Sequence, residues 1–348
     1  MPTCLNQVVM SSNVSIIIPT HNRHKYLNRV LEYYSVADIH LFVVDSSVLE
    51  FNFSDGPNNE NLHYFHLPQK TLTGKIAFAL EKVTTPYVVM CADDDFIITD
   101  AILNCVDFLS KNQSFNAAMG NAIYYQKYEG FNKLNYFAIY SERHTFKTSE
   151  EDSIKRLGYF FDRYRTIFYA VHRTAILKKA FEGAEEVISN LFLNEYVTAI
   201  YPIATGHIIE LPILYHVREF SDISGDKTIE NIDSILFNNE LKNEFEHFLN
   251  YQTEKIISSD NTDLEIIKGS LRSIFIKFAK NIYDLKNSPS ISVDKKIGKF
   301  IQYLPFIGNV IIGAYRKYKN ERSLSKFIKT DEEKKQLKFI SELIIRTL

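Results

Sequence analysis

Residues 87–95 read Tyr-Val-Val-Met-Cys-Ala-Asp-Asp-Asp, an apolar run that leads into three consecutive aspartates. The run Tyr87–Cys91 predicts a buried strand. Three adjacent carboxylates repel one another, so such clusters usually persist where a divalent cation or a ligand compensates their charge. Mg²⁺ and Mn²⁺ take carboxylate oxygens and bridge to substrate phosphates. The position after a strand therefore favours a cation site at Asp93–Asp95 over a solvated turn that caps the next helix.

Short apolar runs and helical periodicity alternate along the first two thirds of the chain. The predicted strands are Val14–Ile18, Ile39–Val44, Leu62–Leu67, Tyr87–Cys91, Phe168–His172 and His207–Leu211. The predicted helices are His24–Tyr34, Gly74–Val83, Thr99–Lys111 with Thr99 as its cap, and Ile188–Ala204. Residues 120–170 are rich in tyrosine and are expected to form hairpins and loops. Strands that alternate with helices predict a mostly parallel sheet with covered faces, in which ligands bind beyond the carboxyl ends of the strands.

The composition is typical of a soluble globular protein, and the length suggests two domains or one large domain with an appendage. The 348 residues include 40 basic and 42 acidic side chains, with 45% hydrophobic and 24% charged residues. The three cysteines, Cys4, Cys91 and Cys105, are too few for a disulfide framework and lack the spacing of a zinc site. Met1–Met10 holds no Lys or Arg, so no secretory signal is expected. Ile301–Tyr315 is too short and too polar to span a membrane, and we expect a reducing cytoplasmic compartment.

The net charge of −2 hides an uneven distribution. Residues 1–267 carry 22 basic and 35 acidic side chains, a formal charge of −13, whereas residues 268–348 carry 18 basic and 7 acidic side chains, a formal charge of +11. From Ile229 onward the spacing is helical, with breaks near Asp260, Pro289 and Pro305. We therefore predict one domain at residues 1–225 and a second, mainly helical domain at residues 226–348, basic from about residue 268.

Two other strand ends carry polar residues. In the segment 15–23, Ser-Ile-Ile-Ile-Pro-Thr-His-Asn-Arg, a strand opens into a polar loop before a helix. The backbone N–H groups of such a loop can hold a phosphate or nucleotide, and an ordinary strand-to-helix turn is the alternative. Asp45 follows the second strand. Its carboxylate would accept hydrogen bonds from a base or ribose, or else cap the following turn.

Together these features resemble the family 2 glycosyltransferases, which have the GT-A nucleotide-sugar-binding fold, over roughly residues 13–220. The matching residues are Pro19, Thr20, Asn22 and Arg23 after the first strand, Asp45 after the second, Gly74-Lys75-Ile76-Ala77 on a helix, and Asp93 and Asp95 as an Asp-x-Asp metal motif. One departure is the turn Val44-Asp45-Ser46-Ser47, where the family usually has Val-Asp-Asp-Gly-Ser. The resemblance implies an α/β, Rossmann-like GT-A domain with a mostly parallel central sheet, followed by a mainly α-helical C-terminal region.

The resemblance also implies a reaction. A sugar would pass with inversion from a nucleotide-diphosphate sugar, UDP-linked in most members, to a hydroxyl of a glycan or lipid-linked acceptor in surface polysaccharide synthesis. Mn²⁺ or Mg²⁺ on Asp95, with Asp93 nearby, would neutralise the leaving diphosphate. A carboxylate must accept the hydroxyl proton, and Glu195 is the best match to the family's acidic motif, which is commonly Glu-Asp. Glu185 and Glu186 are the fallback candidates.

Further site residues follow from the same resemblance, each with a structural alternative. His216 matches a histidine that some relatives use as a metal or phosphate ligand, Arg218 suits the diphosphate as a planar cation, and Lys75 either faces the nucleotide or is a solvated helix lysine. The expected donor-site residues are Pro19, Thr20, Asn22, Arg23, Asp45, Lys75, Asp93, Asp94 and Arg218, and the expected metal ligands are Asp93, Asp95 and His216. The aromatic segment from Tyr124 to Tyr169 is assigned to the acceptor as a region, since tyrosine rings suit sugar stacking and also hairpin packing. Its tyrosines are Tyr124, Tyr125, Tyr128, Tyr136, Tyr140, Tyr159, Tyr164 and Tyr169.

The basic tail has two interpretations. Basic side chains flank the apolar stretch 301–315, namely Lys295, Lys296, Lys299, Arg316, Lys317 and Lys319. This pattern suits an interfacial helix that holds the protein peripherally on an anionic inner membrane face. The alternative is a helical domain packed on the body, with Phe306, Ile307, Ile311 and Ile312 in a core or a homo-oligomer interface. Nucleic acid is not an expected partner, because the tail lacks a binding motif.

Two rival functions stay open from the sequence. A sugar nucleotidyltransferase also combines an α/β sheet with a carboxylate-bound metal, but that class usually has a glycine-rich N-terminal loop, and the first 25 residues contain no glycine. A catalytically inactive glycan-binding or scaffold protein of the same fold would need no Glu-Asp pair.

Overall fold

The computed structural model describes residues 13–53, 60–127, 134–138, 143–220, 231–257, 263–287, 324 and 327–347. Within these ranges the strands are β1 Val14–Thr20, β2 His40–Asp45, β3 Leu62–His66, β4 Tyr87–Met90, β5 Phe96–Ile97, β6 Phe115–Lys127, β7 Leu134–Ala138, β8 Phe146–Lys147, β9 Val171–Arg173 and β10 His207–Glu219. The α-helices of the same ranges are α1 His24–Tyr34, α2 Leu72–Lys82, α3 Thr99–Lys111, α4 Ser153–Phe161, α5 Thr174–Phe181, α6 Ala184–Val187, α7 Leu191–Thr205, α8 Asn239–Ile257, α9 Leu264–Asn287 and α10 Asp331–Arg346. Short 3₁₀ helices cover Ile167–Tyr169 and Ile232–Leu236.

The described strands form one mixed sheet in the order β3-β2-β1-β4-β9-β6-β10-β5, with β7 beside β6 and β8 beside β10. β1 pairs in parallel with β2 and with β4, and β2 pairs in parallel with β3. β6 and β10 are also parallel to each other, whereas β9 is antiparallel to both β4 and β6. The carboxyl ends of β1, β2 and β4 therefore meet at one edge of the sheet, where polar side chains can converge.

Local sequence explains why the first elements form. β1 and β4 are buried along nearly their whole length, as their unbroken apolar runs require of central strands. In α1 the side chains of Leu27, Val30, Leu31 and Tyr34 are buried at helical spacing. α2 begins after Thr71, whose hydroxyl accepts a hydrogen bond from the N–H of Gly74.

The predicted bounds of α1 and α3 are confirmed, but the predicted cap of α3 is wrong. Thr99 is the first helical residue, and the cap position is held by Ile98, which makes no side-chain hydrogen bond to the helix. The predicted strand Phe168–His172 is also wrong in its first half. Ile167–Tyr169 forms a 3₁₀ helix, and β9 begins only at Val171. A single short turn directly before a strand has too little periodicity to be distinguished from the strand by sequence.

Residues 120–170 are more regular than the sequence suggested. β6 extends to Lys127 and pairs with β7 as a hairpin, as expected, but α4 at Ser153–Phe161 was not predicted. Asp152 caps α4 by accepting a hydrogen bond from the N–H of Lys155. Asp152 and the apolar residues that follow it form a helix-start pattern that the tyrosine content of the region obscured.

The C-terminal helices pack on the α/β body. Phe275 and Phe278 of α9 contact the rings of Phe161 and Tyr196. α10 lies on α1, where the Tyr33 hydroxyl donates to Gln336 Oε1 at 3.1 Å. The boundary proposed near residue 225 and the basic and apolar residues named between 295 and 319 lie outside the described residues. None of the described helices is both long enough and apolar enough to cross a lipid bilayer.

Candidate functional site

The first two aspartates of the acidic triplet face the loop that follows β1. Thr20 Oγ1 donates to Asp93 Oδ2 at 2.6 Å. The Arg23 guanidinium lies 3.1 Å from Asp93 Oδ1 and 2.5 Å from Asp94 Oδ2, so one planar cation bridges two carboxylates. Burial opposes the charge of Arg23, but the ion pairs with Asp94 and Asp93 raise its pKa above the usual value. This arrangement joins the loop after β1 to the loop after β4.

The third aspartate faces β10. Asp95 Oδ2 lies 3.1 Å from His216 Nε2 and 3.4 Å from Arg218 Nε. Its other oxygen accepts a hydrogen bond from the N–H of Glu219 at 2.9 Å. Burial would raise the pKa of Asp95, but His216, Arg218 and the Glu219 amide lower it below its ordinary value. Asp95 is therefore a carboxylate in this site, held on one side by β10.

Tyr169 connects this cluster to Glu195. Its ring centroid lies 4.5 Å from that of His216, and the Arg218 guanidinium lies 4.8 Å from the Tyr169 ring centroid. Burial raises the pKa of Tyr169 well above its usual value, and the carboxylates of Asp95 and Glu195 raise it further. The phenol therefore stays protonated, and both carboxylates lie within its electrostatic reach.

Glu195 is carried by α7 and is only 5% exposed. Tyr164 donates its phenolic hydrogen to Glu195 Oε1. The preceding residue, Asn194, accepts a hydrogen bond from Thr73 Oγ1 of α2 at 2.6 Å, which fixes this turn of the helix. Glu185 and Glu186 are exposed side chains of α6, and Glu185 pairs with Lys70. The structure thus brings Glu195 into the polar cluster and leaves the two fallback candidates at the surface.

Lys75 is a buried lysine, 5% exposed, and not the solvated helix residue that the sequence left open. Its Nζ donates to the Thr20 carbonyl at 2.7 Å and to Ser46 Oγ at 2.9 Å. Burial lowers its pKa to about 8, although Asp93 and Asp45 act in the opposite direction. Lys75 therefore places a titratable cation behind the ends of β1 and β2.

Asp45 is fully buried, and its oxygens are occupied by protein donors. Oδ1 accepts from the backbone and side chain of Ser47, and Oδ2 accepts from Tyr64 and from His24 Nε2, both at 2.8 Å. Burial acts to raise the pKa of Asp45, but these hydrogen bonds lower it. The geometry therefore fits the turn-capping alternative better than direct contact with a base or ribose.

The remaining residues of the loop after β1 shape its backbone. Pro19 lies within β1, opposite Val44 of β2. Asn22 adopts a φ of 53°, a left-handed conformation that asparagine tolerates better than most residues. Its backbone N–H donates to Ser47 Oγ at 2.7 Å, and its side-chain oxygen accepts from the N–H of Val48. These contacts join the first and second strand-end loops.

Comparison with known proteins identifies the domain that carries the candidate site. Residues 15–183 match the model of glycosyl transferase family 2. This segment is a glycosyl transferase family 2 domain, and the protein is a glycosyltransferase. This match leaves the sugar nucleotidyltransferase alternative without support. A sequence search against curated proteins gave no match.

Two solved structures share the fold of this glycosyltransferase. The structure of S. aureus TarS 1-349 in complex with UDP-GlcNAc has a TM-score of 0.51 at 12% identity, covering 96% of this chain and 90% of that chain. The same TarS fragment in complex with UDP has a TM-score of 0.50 at 14% identity, with the same coverage. At these identities the likeness concerns the fold, and it confirms the predicted α/β GT-A fold class with a helical C-terminal region.

The residues around Asp95 would hold a divalent cation only together with a substrate. Among the described residues, no group of three or more His, Cys, Asp and Glu is arranged to hold a metal ion. Mg²⁺ in nucleotide sites is usually held by one or two carboxylates together with substrate phosphates. Asp95 Oδ2 and His216 Nε2 lie 3.1 Å apart and are the one oxygen and one nitrogen that a shared cation would contact. Asp93 is turned toward Thr20 and Arg23, so the fit rests on Asp95 and His216.

Three buried residues in or next to the candidate site escaped prediction from the sequence. Tyr164 and Tyr169 belong to a region that was assigned to the acceptor only as a whole. Arg29 is fully buried on the apolar face of α1, three residues after Tyr26 and four before Tyr33. The only sequence feature that pointed to Arg29 was the position of a charged residue on the apolar face of a predicted helix.

Proposed function

We propose that this glycosyltransferase is a metal-dependent, inverting enzyme that transfers a sugar from a UDP-sugar to a hydroxyl of a glycan or lipid-linked acceptor. The observation that carries the proposal is the convergence, at one edge of the sheet, of an acidic triplet, three cationic side chains and a buried glutamate. UDP is the favoured nucleotide because the TarS structures of similar fold contain UDP-GlcNAc and UDP.

The cations suit the leaving diphosphate. Arg23, Lys75 and Arg218 surround the triplet from the ends of β1, α2 and β10. Charge develops on the diphosphate as the glycosidic bond breaks, and fixed cations in a buried site stabilise it without reorganisation. Bound at Asp95 and His216, Mn²⁺ or Mg²⁺ would supply further positive charge next to that group.

Glu195 is the proposed general base. An acceptor hydroxyl has a high pKa, so its proton must pass to a base as the oxygen attacks the anomeric carbon. One carboxylate is sufficient for a single displacement with inversion, and Glu195 is the buried carboxylate beside Tyr169 and Arg218. Tyr164 and Tyr169 have raised pKa values because they are buried, so both remain hydrogen-bond donors and do not compete for the proton.

The acceptor and the location of the enzyme belong to the same proposal. Half-buried tyrosines of the region 120–165, such as Tyr124 and Tyr159, suit stacking on sugar rings. The basic character of residues 268–348 supports peripheral contact with an anionic membrane face. Co-sedimentation of the full chain with anionic vesicles, but not with neutral vesicles, is the expected result. Equal sedimentation with both would contradict membrane contact through charge.

A thermal-shift experiment tests the donor site. UDP with Mn²⁺ should raise the Tm of the wild-type protein, and Asp95→Asn should abolish the shift. Asp107→Asn provides a control, because the side chain of Asp107 is half-buried on α3 and forms an ion pair with Lys111 of the same helix. A UDP-sugar should also be hydrolysed slowly in the presence of Mn²⁺. A wild-type protein that binds UDP but turns over no donor would favour the inactive scaffold alternative.

A further inference from the structure

A buried polar network lies behind the acidic triplet, and none of its side chains is in the proposed catalytic machinery. Glu219, the last residue of β10, is its centre. The Glu219 carboxylate lies 3.0 Å from Arg29, 2.7 Å from Tyr125 and 3.0 Å from Lys127. These partners come from α1 and β6, so the network joins two elements that are distant in sequence.

Two side chains of the network contact the main chain of the acidic triplet. Arg29 NH2 lies 3.0 Å from the carbonyl oxygen of Asp94, and the Tyr125 hydroxyl lies 3.1 Å from the same oxygen. The backbone N–H of Glu219 donates to Asp95 Oδ1. The peptide between Asp94 and Asp95 and the carboxylate of Asp95 are thus held by this network.

The charges of the network favour one arrangement. Arg29 is fully buried, and its cation is compensated by Glu219. Burial raises the pKa of Tyr125 well above its usual value, so the phenol keeps its hydrogen. The Glu219 carboxylate is the nearer acceptor at 2.7 Å, and the Asp94 carbonyl lies at 3.1 Å. The NH2 group of Arg29 contacts Glu219, Tyr125 and Asp94, whereas its Nε atom has no hydrogen-bond partner among the described residues. A buried ion pair of this kind has few alternative geometries, because movement of either partner leaves a buried charge without its counter-charge.

We propose that Arg29, Tyr125 and Glu219 are positioning residues that set the orientation of Asp95 for binding the donor diphosphate. This inference rests on the proposed function. None of the three side chains needs to touch the donor, and each acts through Asp94 or Asp95. Removing one of these side chains should therefore lower the affinity for the diphosphate more than it lowers the free energy of unfolding.

Tyr125→Phe tests the inference with the smallest change, since it removes one hydroxyl and keeps the ring. Partners that orient a binding residue are typically worth about tenfold in affinity, so we expect UDP with Mn²⁺ to bind about tenfold more weakly. The donor KM should rise by a similar factor, with kcat at saturation little changed. Isothermal titration and steady-state kinetics give the two readouts.

Tyr251→Phe is the matched control. Tyr251 is also a buried tyrosine whose hydroxyl bonds to protein oxygens, the carbonyls of Ala180 and Glu182, but it lies on α8 away from the triplet. Both variants should lose a similar, small amount of thermal stability, and only Tyr125→Phe should lose affinity for UDP. Arg29→Lys serves as the second variant, because it keeps the charge paired with Glu219 but cannot present the same planar donor to Asp94. It should weaken UDP binding as well.

Three outcomes separate the hypotheses. Wild-type affinity for UDP in both Tyr125→Phe and Arg29→Lys would overturn the positioning role and leave the proposed function intact. Equal losses of affinity in Tyr125→Phe and Tyr251→Phe would also overturn it, because the effect would then follow stability. A wild-type protein that binds neither UDP nor a UDP-sugar would overturn the proposed function together with this inference.

Discussion

The hydroxyl of Tyr164 donates a hydrogen bond to Oε1 of Glu195, and both residues are buried. The Tyr164 ring is held by Phe161 of α4, Tyr196 of α7 and Phe278 of α9. Since α9 belongs to the helical C-terminal region, that region supports the proposed base. The helical C-terminal region is therefore part of the environment of the candidate site.

Glu195→Gln should lower kcat by at least about 100-fold, because general-base catalysis typically contributes 10² to 10⁴. UDP affinity should stay within about twofold of wild type, since Glu195 is proposed to contact the acceptor hydroxyl and not the diphosphate. Initial rates of transfer and titration with UDP measure the two quantities. Glu186→Gln, at an exposed side chain of α6, is the control and should behave as wild type. Full activity in Glu195→Gln would remove Glu195 from the base role.

Tyr164→Phe should lower kcat by about tenfold, because a hydrogen bond to a charged group contributes about 1.5–3 kcal/mol and part of this orients the carboxylate. The donor KM should be unchanged. Steady-state kinetics at saturating donor measure the effect, with Tyr251→Phe as the control for loss of a buried hydroxyl. Transfer at the wild-type rate would show that Glu195 is oriented without Tyr164.

Because of Lys75, a rise in pH should increase the free energy of unfolding and decrease the affinity for UDP. Its pKa is about 8 in the folded protein and 10.5 for an ordinary lysine, so between these values the unfolded chain binds more protons than the folded one. The free energy of unfolding of wild type should therefore rise with pH across this window relative to Lys75→Met. UDP affinity should fall over the same window, because the cation beside Asp93 is lost.

Chemical denaturation and UDP titration at pH 7.5 and 9.5, on wild type and Lys75→Met, test both effects. The variant should bind UDP more weakly at pH 7.5 and respond less to pH. If the two proteins showed the same pH dependence of stability, the depressed pKa of Lys75 would be refuted.

Phe278→Ala should lower the free energy of unfolding by about 3–5 kcal/mol, the usual cost of removing a buried phenylalanine ring. Phe278 is 1% exposed and packs on Tyr164, so kcat should fall in the folded variant as the Tyr164 ring loosens. Denaturant unfolding and kinetics below the transition give the two values. Phe237→Ala is the control, since Phe237 is 64% exposed. A fall in stability without any change in kcat would show that α9 does not influence the proposed base Glu195.

Sequence patterns predicted the elements of the first half of the chain well, because central strands and amphipathic helices have strong periodicity. α1 matches its prediction residue for residue, and β1 and β4 differ only at their ends. The segment between Gly120 and Ala170 was predicted poorly, because its aromatic residues occur on strands, on α4 and on a 3₁₀ helix alike. Aromatic content alone does not separate these structures.

The site was predictable where it follows from strand ends and not where it depends on tertiary contacts. Thr20, Arg23 and Asp93–Asp95 were predicted because polar residues after parallel strands converge. Arg29 and Glu219 are separated by 190 positions in the chain, and nothing local to either residue indicates the other. The burial of Asp45 and Lys75 likewise depends on neighbours from other elements, such as Tyr64 and Ser46.

One consequence follows from the irregular pairing of β10 with β6. The register shifts between Leu211 and Leu214 and again between Leu214 and His216, just before the residues that contact Asp95. Successive side chains of a strand point to opposite faces, so His216 and Arg218, two positions apart, share one face. The shifts before them set which face that is. Deleting a single residue at Pro212 or Ile213 would exchange the two faces of the strand's end. We therefore expect this short stretch to accept changes of residue type far more readily than changes of length.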